Sequence, residues 1–204
     1  NVAVGDSAGD AVTTASDNTF IGDNSGGATT TGGNNVAVGS GSLLVATTAV
    51  DNVSIGTDSL AATGAGTDGS YNTAVGTAAL AANTEGQFNV AVGRRSLYAN
   101  TTADYNTAIG YLSLLTNTTG QYNVAVGNGA MQLSTTSSNN TALGNAALGA
   151  NTTGASNVAV GYNALDASQT ASNNVAVGTS ALSANTTGTD NVAVGDSSLD
   201  ANTG

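Results

Sequence analysis

The sequence predicts an all-β chain folded as a parallel β-solenoid, a β-roll of about twelve coils of 17 residues. Three observations lead there. The phrase N-x-A-V-G, or a close variant, recurs along the whole chain. Its spacing is 17 residues at every step but one. Inside each unit, two short apolar stretches are separated by glycine and closed by turn-forming residues.

The phrase starts at Asn1, Asn18, Asn35, Asn52, Asn72, Asn89, Asn106, Asn123, Asn140, Asn157, Asn174 and Asn191. The step from Asn52 to Asn72 is 20 residues, so a three-residue insertion within 63–70 is expected to bulge from an outer turn. Ile55, Leu60 and Val75 should then keep their columns. Residues 1–204 read as a single repeat domain, taken as an excerpt of a longer chain. The majority unit is N-[VT]-A-[VI]-G-x-x-[AS]-L-x-A-N-T-T-G-x-x.

Each repeat position has a physical reading. The Asn at position 1 either builds an amide ladder along the stack or simply forms a turn. Positions 2 and 4 are branched with a small residue between them, the period-2 signature of a short strand. The larger side chains of positions 2, 4 and 9 are expected to line the core. Position 3 is Ala in ten copies, with Phe20 and Ser54 as exceptions, and it is expected to form the outer face. Position 5 is Gly in all twelve copies, which requires positive φ or backbone packed too closely for a Cβ. Leu at position 9 and Ala at position 11 suggest a second short strand. N-T-T-G, as at Asn117 to Gly120, is turn chemistry.

Strands this short cannot bury themselves alone, so the coils must stack in register about 4.8 Å apart. A strip of Ala would let another sheet approach closely. Ala91, Ala108, Ala125, Ala142, Ala159 and Ala176 are therefore the expected oligomer interface.

Composition excludes several function classes. The chain has no His and no Cys, which removes Ser-His and Cys-His catalysis and zinc-thiolate sites. Its two basic residues, Arg94 and Arg95, stand against thirteen acidic ones, for a net charge of -11. Such a chain cannot neutralise a run of phosphates, so nucleic acid is not an expected partner. No apolar run is long enough to span a membrane. Carboxylate pairs such as Asp6 with Asp10, or Asp190 with Asp196, are read as solvated turn residues. Gly32 to Asn35 approaches a calcium-repeat pattern but lacks its Asp. No catalytic residue, metal or cofactor is expected.

The unit N-[VT]-A-[VI]-G-x-x-A-L resembles the N-S-V-A-I-G head repeat of trimeric autotransporter adhesins. The runs Asn106-Thr-Ala-Ile-Gly-Tyr111 and Asn117-Thr-Thr-Gly120 are similar to 17-residue repeats of phage tail-fibre proteins. The resemblance covers essentially the whole chain. It implies a left-handed homotrimer and a structural or adhesive segment of a virion or extracellular fibre. The alternatives weighed from the residues are a carbohydrate-active β-helix enzyme and an ice-binding solenoid with Thr columns at positions 13 and 14.

Two features break the monotony. Position 17 carries Tyr71, Phe88, Tyr105 and Tyr122 in consecutive repeats. They form either an aromatic stack at the rim of the core or an inter-chain seam, or else a strip on which a glycan stacks. Arg94, Arg95, Tyr98, Tyr111 and Leu112 cluster in repeats six and seven. That cluster is either a contact for a host-cell receptor or another subunit, or ordinary surface with Arg95 paired to Asp104. The sequon N-x-[ST] recurs at Asn52, Asn100, Asn117, Asn139, Asn151 and Asn185, mostly as a by-product of the N-T-T-G turn.

Overall fold

Every unit but the second, where Phe20 takes the middle place, begins with a branched–small–branched triplet after an Asn, and in the computed structural model the triplet of each unit is a strand. The structure describes residues 1–62 and 69–204. The strands are β1 (Val2–Val4), β2 (Thr19–Ile21), β3 (Val36–Val38), β4 (Val53–Ile55), β5 (Thr73–Val75), β6 (Val90–Val92), β7 (Thr107–Ile109), β8 (Val124–Val126), β9 (Thr141–Leu143), β10 (Val158–Val160), β11 (Val175–Val177) and β12 (Val192–Val194). They form one 12-stranded sheet in sequence order, and every pairing is parallel. The register follows the repeat: Val158 pairs with Val175, and Val175 with Val192. It also survives the insertion, because Ile55 pairs with both Val38 and Val75. The bulge expected within 63–70 falls largely on residues 63–68, outside the described residues.

Backbone hydrogen bonds run between coils beyond the strands as well. The amide of Leu165 donates to Ala181 O at 3.0 Å, and that of Thr84 to Thr101 O at 2.9 Å. The inter-coil ladder thus continues from the strands into the turns. The second strand expected around position 9 is instead a corner. Residues at positions 7, 9 and 17 sit in the left-handed region, among them Arg95 (φ 56), Leu97 (φ 48) and Tyr105 (φ 59). That conformation costs about 1–2 kcal/mol per non-glycine residue. Burial of the Leu side chain, about 1.5–3 kcal/mol, offsets it at position 9.

The two strand faces are the reverse of the expectation. Ala at position 3 points into the coil, and the branched residues of positions 2 and 4 point out. Ala91, Ala108, Ala125, Ala142, Ala159 and Ala176 are all fully buried within the single chain, so they are core residues and not an interface. The reason is volume. The interior already holds the Leu column of position 9, small residues such as Ala79 and Ala130 at position 8, and Asn side chains from positions 1 and 12. Only a small side chain fits opposite them.

Phe20 supports this account. It occupies the inward position 3 and is fully buried. A Cβ on Gly9 would lie 2.7 Å from Phe20 Cδ2, and one on Gly26 would lie 2.5 Å from Phe20 Cε1. One ring therefore fills the space of the two missing Leu, with no rotation of the strand. β1, β2 and β3 keep the common register through these two coils. Ser54, the other exception, is buried with its hydroxyl donating to Ser59 O at 2.8 Å.

Position 5 turns the chain out of the strand. Gly76 has φ 136, and a Cβ there would lie 2.6 Å from the carbonyl carbon and oxygen of Gly93 in the next coil. Both the dihedral and the contact demand glycine.

Candidate functional site

The invariant Asn column is a ladder. Asn18 Oδ1 accepts the Asn35 backbone N–H at 2.8 Å and Asn35 Nδ2 at 3.1 Å, while Asn35 Nδ2 also donates to Ala49 O at 2.8 Å. Each amide thus links two coils and braces its own coil from strand to turn. The backbone half of the link repeats from Asn1 to Asn191 and crosses the insertion, where Asn72 N donates to Asn52 Oδ1 at 2.9 Å. Position 12 forms a second, broken ladder. Asn100 Nδ2 donates to Asn83 Oδ1 at 2.8 Å, and Asn117 Nδ2 to Asn100 Oδ1 at 3.2 Å. The Asn residues of five sequons, Asn52, Asn100, Asn117, Asn151 and Asn185, are buried in these columns, and Asn139 is exposed.

The Thr column of position 13 is equally committed to structure. Thr84 Oγ1 donates to Thr101 O at 3.0 Å, and Thr118 Oγ1 to Thr135 O at 3.0 Å. These hydroxyls point along the stack to the next coil's carbonyl.

Two surfaces remain available for contacts. The first is the outer face of the sheet. Its columns are Val or Thr at position 2 and Val, Ile or Leu at position 4, with Ile109 40% and Leu143 47% exposed. Twelve strands at about 4.8 Å give a strip roughly 53 Å long, with an area on the order of 500 Å². Soluble monomers rarely leave contiguous apolar patches larger than a few hundred Å² open.

The second surface comprises the two corners flanking that face. At the corner entering the strand, the rings of Tyr71, Phe88, Tyr105 and Tyr122 form a continuous stack. Successive centroids lie 5.0, 5.0 and 5.2 Å apart, and the planes are within 5° of parallel. The rings cover one another's faces, so edges and hydroxyls are what the strip offers along its length. At the corner leaving the strand, Arg94 lies 5.8 Å from the Tyr111 ring centroid, with Nη1 donating to the Tyr111 hydroxyl at 3.5 Å. Arg95 lies over the Tyr98 ring at 5.2 Å. Cation–π contacts of this kind contribute about 0.5–1 kcal/mol at exposed sites.

The pairing of Arg95 with Asp104 does not form within the chain. Asp104 Oδ1 instead accepts the Gln87 backbone N–H at 2.7 Å. The physical reason is position: Arg95 follows its strand and Asp104 precedes the next, so the width of a strand, about 10 Å, separates the two corners.

Among the described residues the surface carries no pocket, and no three His, Cys, Asp or Glu side chains converge. Burial pushes the carboxyl of Asp166, at position 10, above its ordinary value. No helix is long and apolar enough to cross a membrane. Positions 3, 7 and 9 were the residues whose roles the sequence concealed; the signal for position 3 was the co-occurrence of Phe20 with Gly9 and Gly26.

No protein-family model, no curated protein and no solved structure matches this chain.

Proposed function

We propose that this chain is a structural and adhesive segment of an extracellular or virion fibre, assembled as a homotrimer around an axis parallel to the rod. The observation that carries the proposal is the outer sheet face, a flat apolar strip repeated on every coil. Three copies related by rotation each turn that strip inward, and the branched side chains of positions 2 and 4 fill the centre. Such a role asks for length, stability and a repeated surface. It involves no reacting group, metal or cofactor. The turns away from the sheet, with Tyr98 at position 10, are the surface left for a host-cell glycan or protein.

The test replaces Val92 and Ile109 with Glu, two residues of the outer position-4 column. Light scattering should report an oligomer for the unmodified chain and a monomer for V92E/I109E, because buried unpaired carboxylates are costly. The circular dichroism of the variant should be unchanged, since both side chains point out of the coil. An oligomer that survives the substitutions would place the interface elsewhere.

A further inference from the structure

We infer that the aromatic column and the Arg94–Arg95–Tyr111–Leu112 patch are two halves of one seam between copies of this chain, with Asp104 of one copy pairing with the arginines of the next. The inference rests on the rod-axis assembly proposed above.

Three departures from the repeat coincide in height. The aromatic run at position 17 spans Tyr71 to Tyr122. The only basic residues of the chain, Arg94 and Arg95, lie at positions 6 and 7 of the unit that starts at Asn89. Asp104, in that same unit, is the only charged residue of the position-16 column. Within one chain these features sit at opposite corners and do not meet.

A rotation about an axis parallel to the rod moves nothing along it, so equal coils of neighbouring copies stay level. It also brings the corner leaving each strand against the corner entering the neighbour's strand. Position 6 lies roughly a third of a 4.8 Å pitch above the start of its coil. Arg94 and Arg95 therefore come between the neighbouring copy's Phe88 and Tyr105, beside its Asp104. Tyr111 and Leu112 come between that copy's Tyr105 and Tyr122.

The chemistry matches. Asp104 uses Oδ1 to hold the Gln87 amide, which orients the carboxylate and leaves Oδ2 for an outside donor. Each guanidinium is held against a ring and keeps in-plane N–H groups free for a carboxylate. The ring edges and hydroxyls of the stack pack the aliphatic stems of the arginines and Leu112.

Charge reversal tests the seam by sedimentation. Asp104→Arg should raise the dissociation constant of the oligomer at least tenfold, and Arg94→Asp with Arg95→Asp should do the same. The three changes combined should return it to within about threefold of the unmodified chain. As a second measurement, Arg95→Cys with Asp104→Cys should give inter-chain disulfides on mild oxidation, in a chain that has no other cysteine. An unmodified oligomer whose variants dissociate unchanged, or show no rescue and no cross-link, overturns the seam alone. A monomer at all concentrations overturns both the seam and the assembly beneath it.

Discussion

Completing the broken amide ladder at position 12 should stabilise the rod. The column is Asn at residues 83, 100 and 117, then Ser134, Asn151, Ser168 and Asn185. Where Ser interrupts it, the side chain is too short to reach the preceding coil. Asn117 Oδ1 and Asn151 Oδ1 are buried without a hydrogen-bond donor, and so is Ser168 Oγ without a partner. Ser168→Asn would place Nδ2 where Asn100 Nδ2 meets Asn83 Oδ1 at 2.8 Å, and within reach of Ala171 O, as Asn100 reaches Ala103 O at 3.1 Å. A net hydrogen bond contributes about 0.5–1.5 kcal/mol, and each buried orphan relieved returns about 1–3 kcal/mol. Ordering the longer side chain takes back part of this. A net gain of about 2 kcal/mol is expected, or about 4–8 °C in melting temperature for a chain of this size. Asn100→Ser should destabilise by a similar amount. Urea denaturation of the three proteins side by side is the assay. If Ser168→Asn left the midpoint unchanged and Asn100→Ser were also neutral, the ladder would contribute nothing to stability and the reasoning would fail.

Other perturbations probe separate parts of the account. Gly110→Ala forces a side chain to φ 135 against the backbone of Gly127, and should destabilise by about 3 kcal/mol or more in urea. Phe20→Ala empties the space shared by Gly9 and Gly26 and should cost about 3–5 kcal/mol. Hydrogen exchange should localise that loss to Val2–Val4 and spare Val158–Val160. Asp166 has a raised carboxyl pKa in the folded chain, so the fold binds its proton more tightly than the unfolded chain does. Its contribution is therefore fully present below the ordinary value of 3.8 and is lost as pH rises through the raised one. Asp166→Asn should raise the melting temperature at pH 7 and leave it unchanged near pH 3.

The periodicity of Asn and Gly disclosed the coil length, the parallel register and the continuity of the columns across the insertion, because each is a statement about spacing. What it could not disclose is which strand face is inside. Alternation of Val and Ala defines two faces and is silent on their direction. Size suggested that Val belonged inside, yet a thin coil already filled by Leu97, Asn89 and Asn100 has room only for a small side chain such as Ala91. Phe20, placed beside the two units that lack Leu, held that information in the sequence. The left-handed corner at positions 7 and 9 was similarly half-visible: Gly9, Gly26, Gly41 and Gly129 occupy those columns, while Leu in the same conformation is disfavoured locally and is held there by burial. The two anomalous surfaces were identifiable as clusters from composition. Their placement at opposite corners of the strand depends on the coil's shape, and that separates Arg95 from Asp104.

If further copies of the same chain cover the outer branched face, sedimentation equilibrium of the unmodified chain should give a species of three times the 19.4 kDa of one chain, persisting on dilution to micromolar concentration. A single species of 19.4 kDa at every concentration would contradict it.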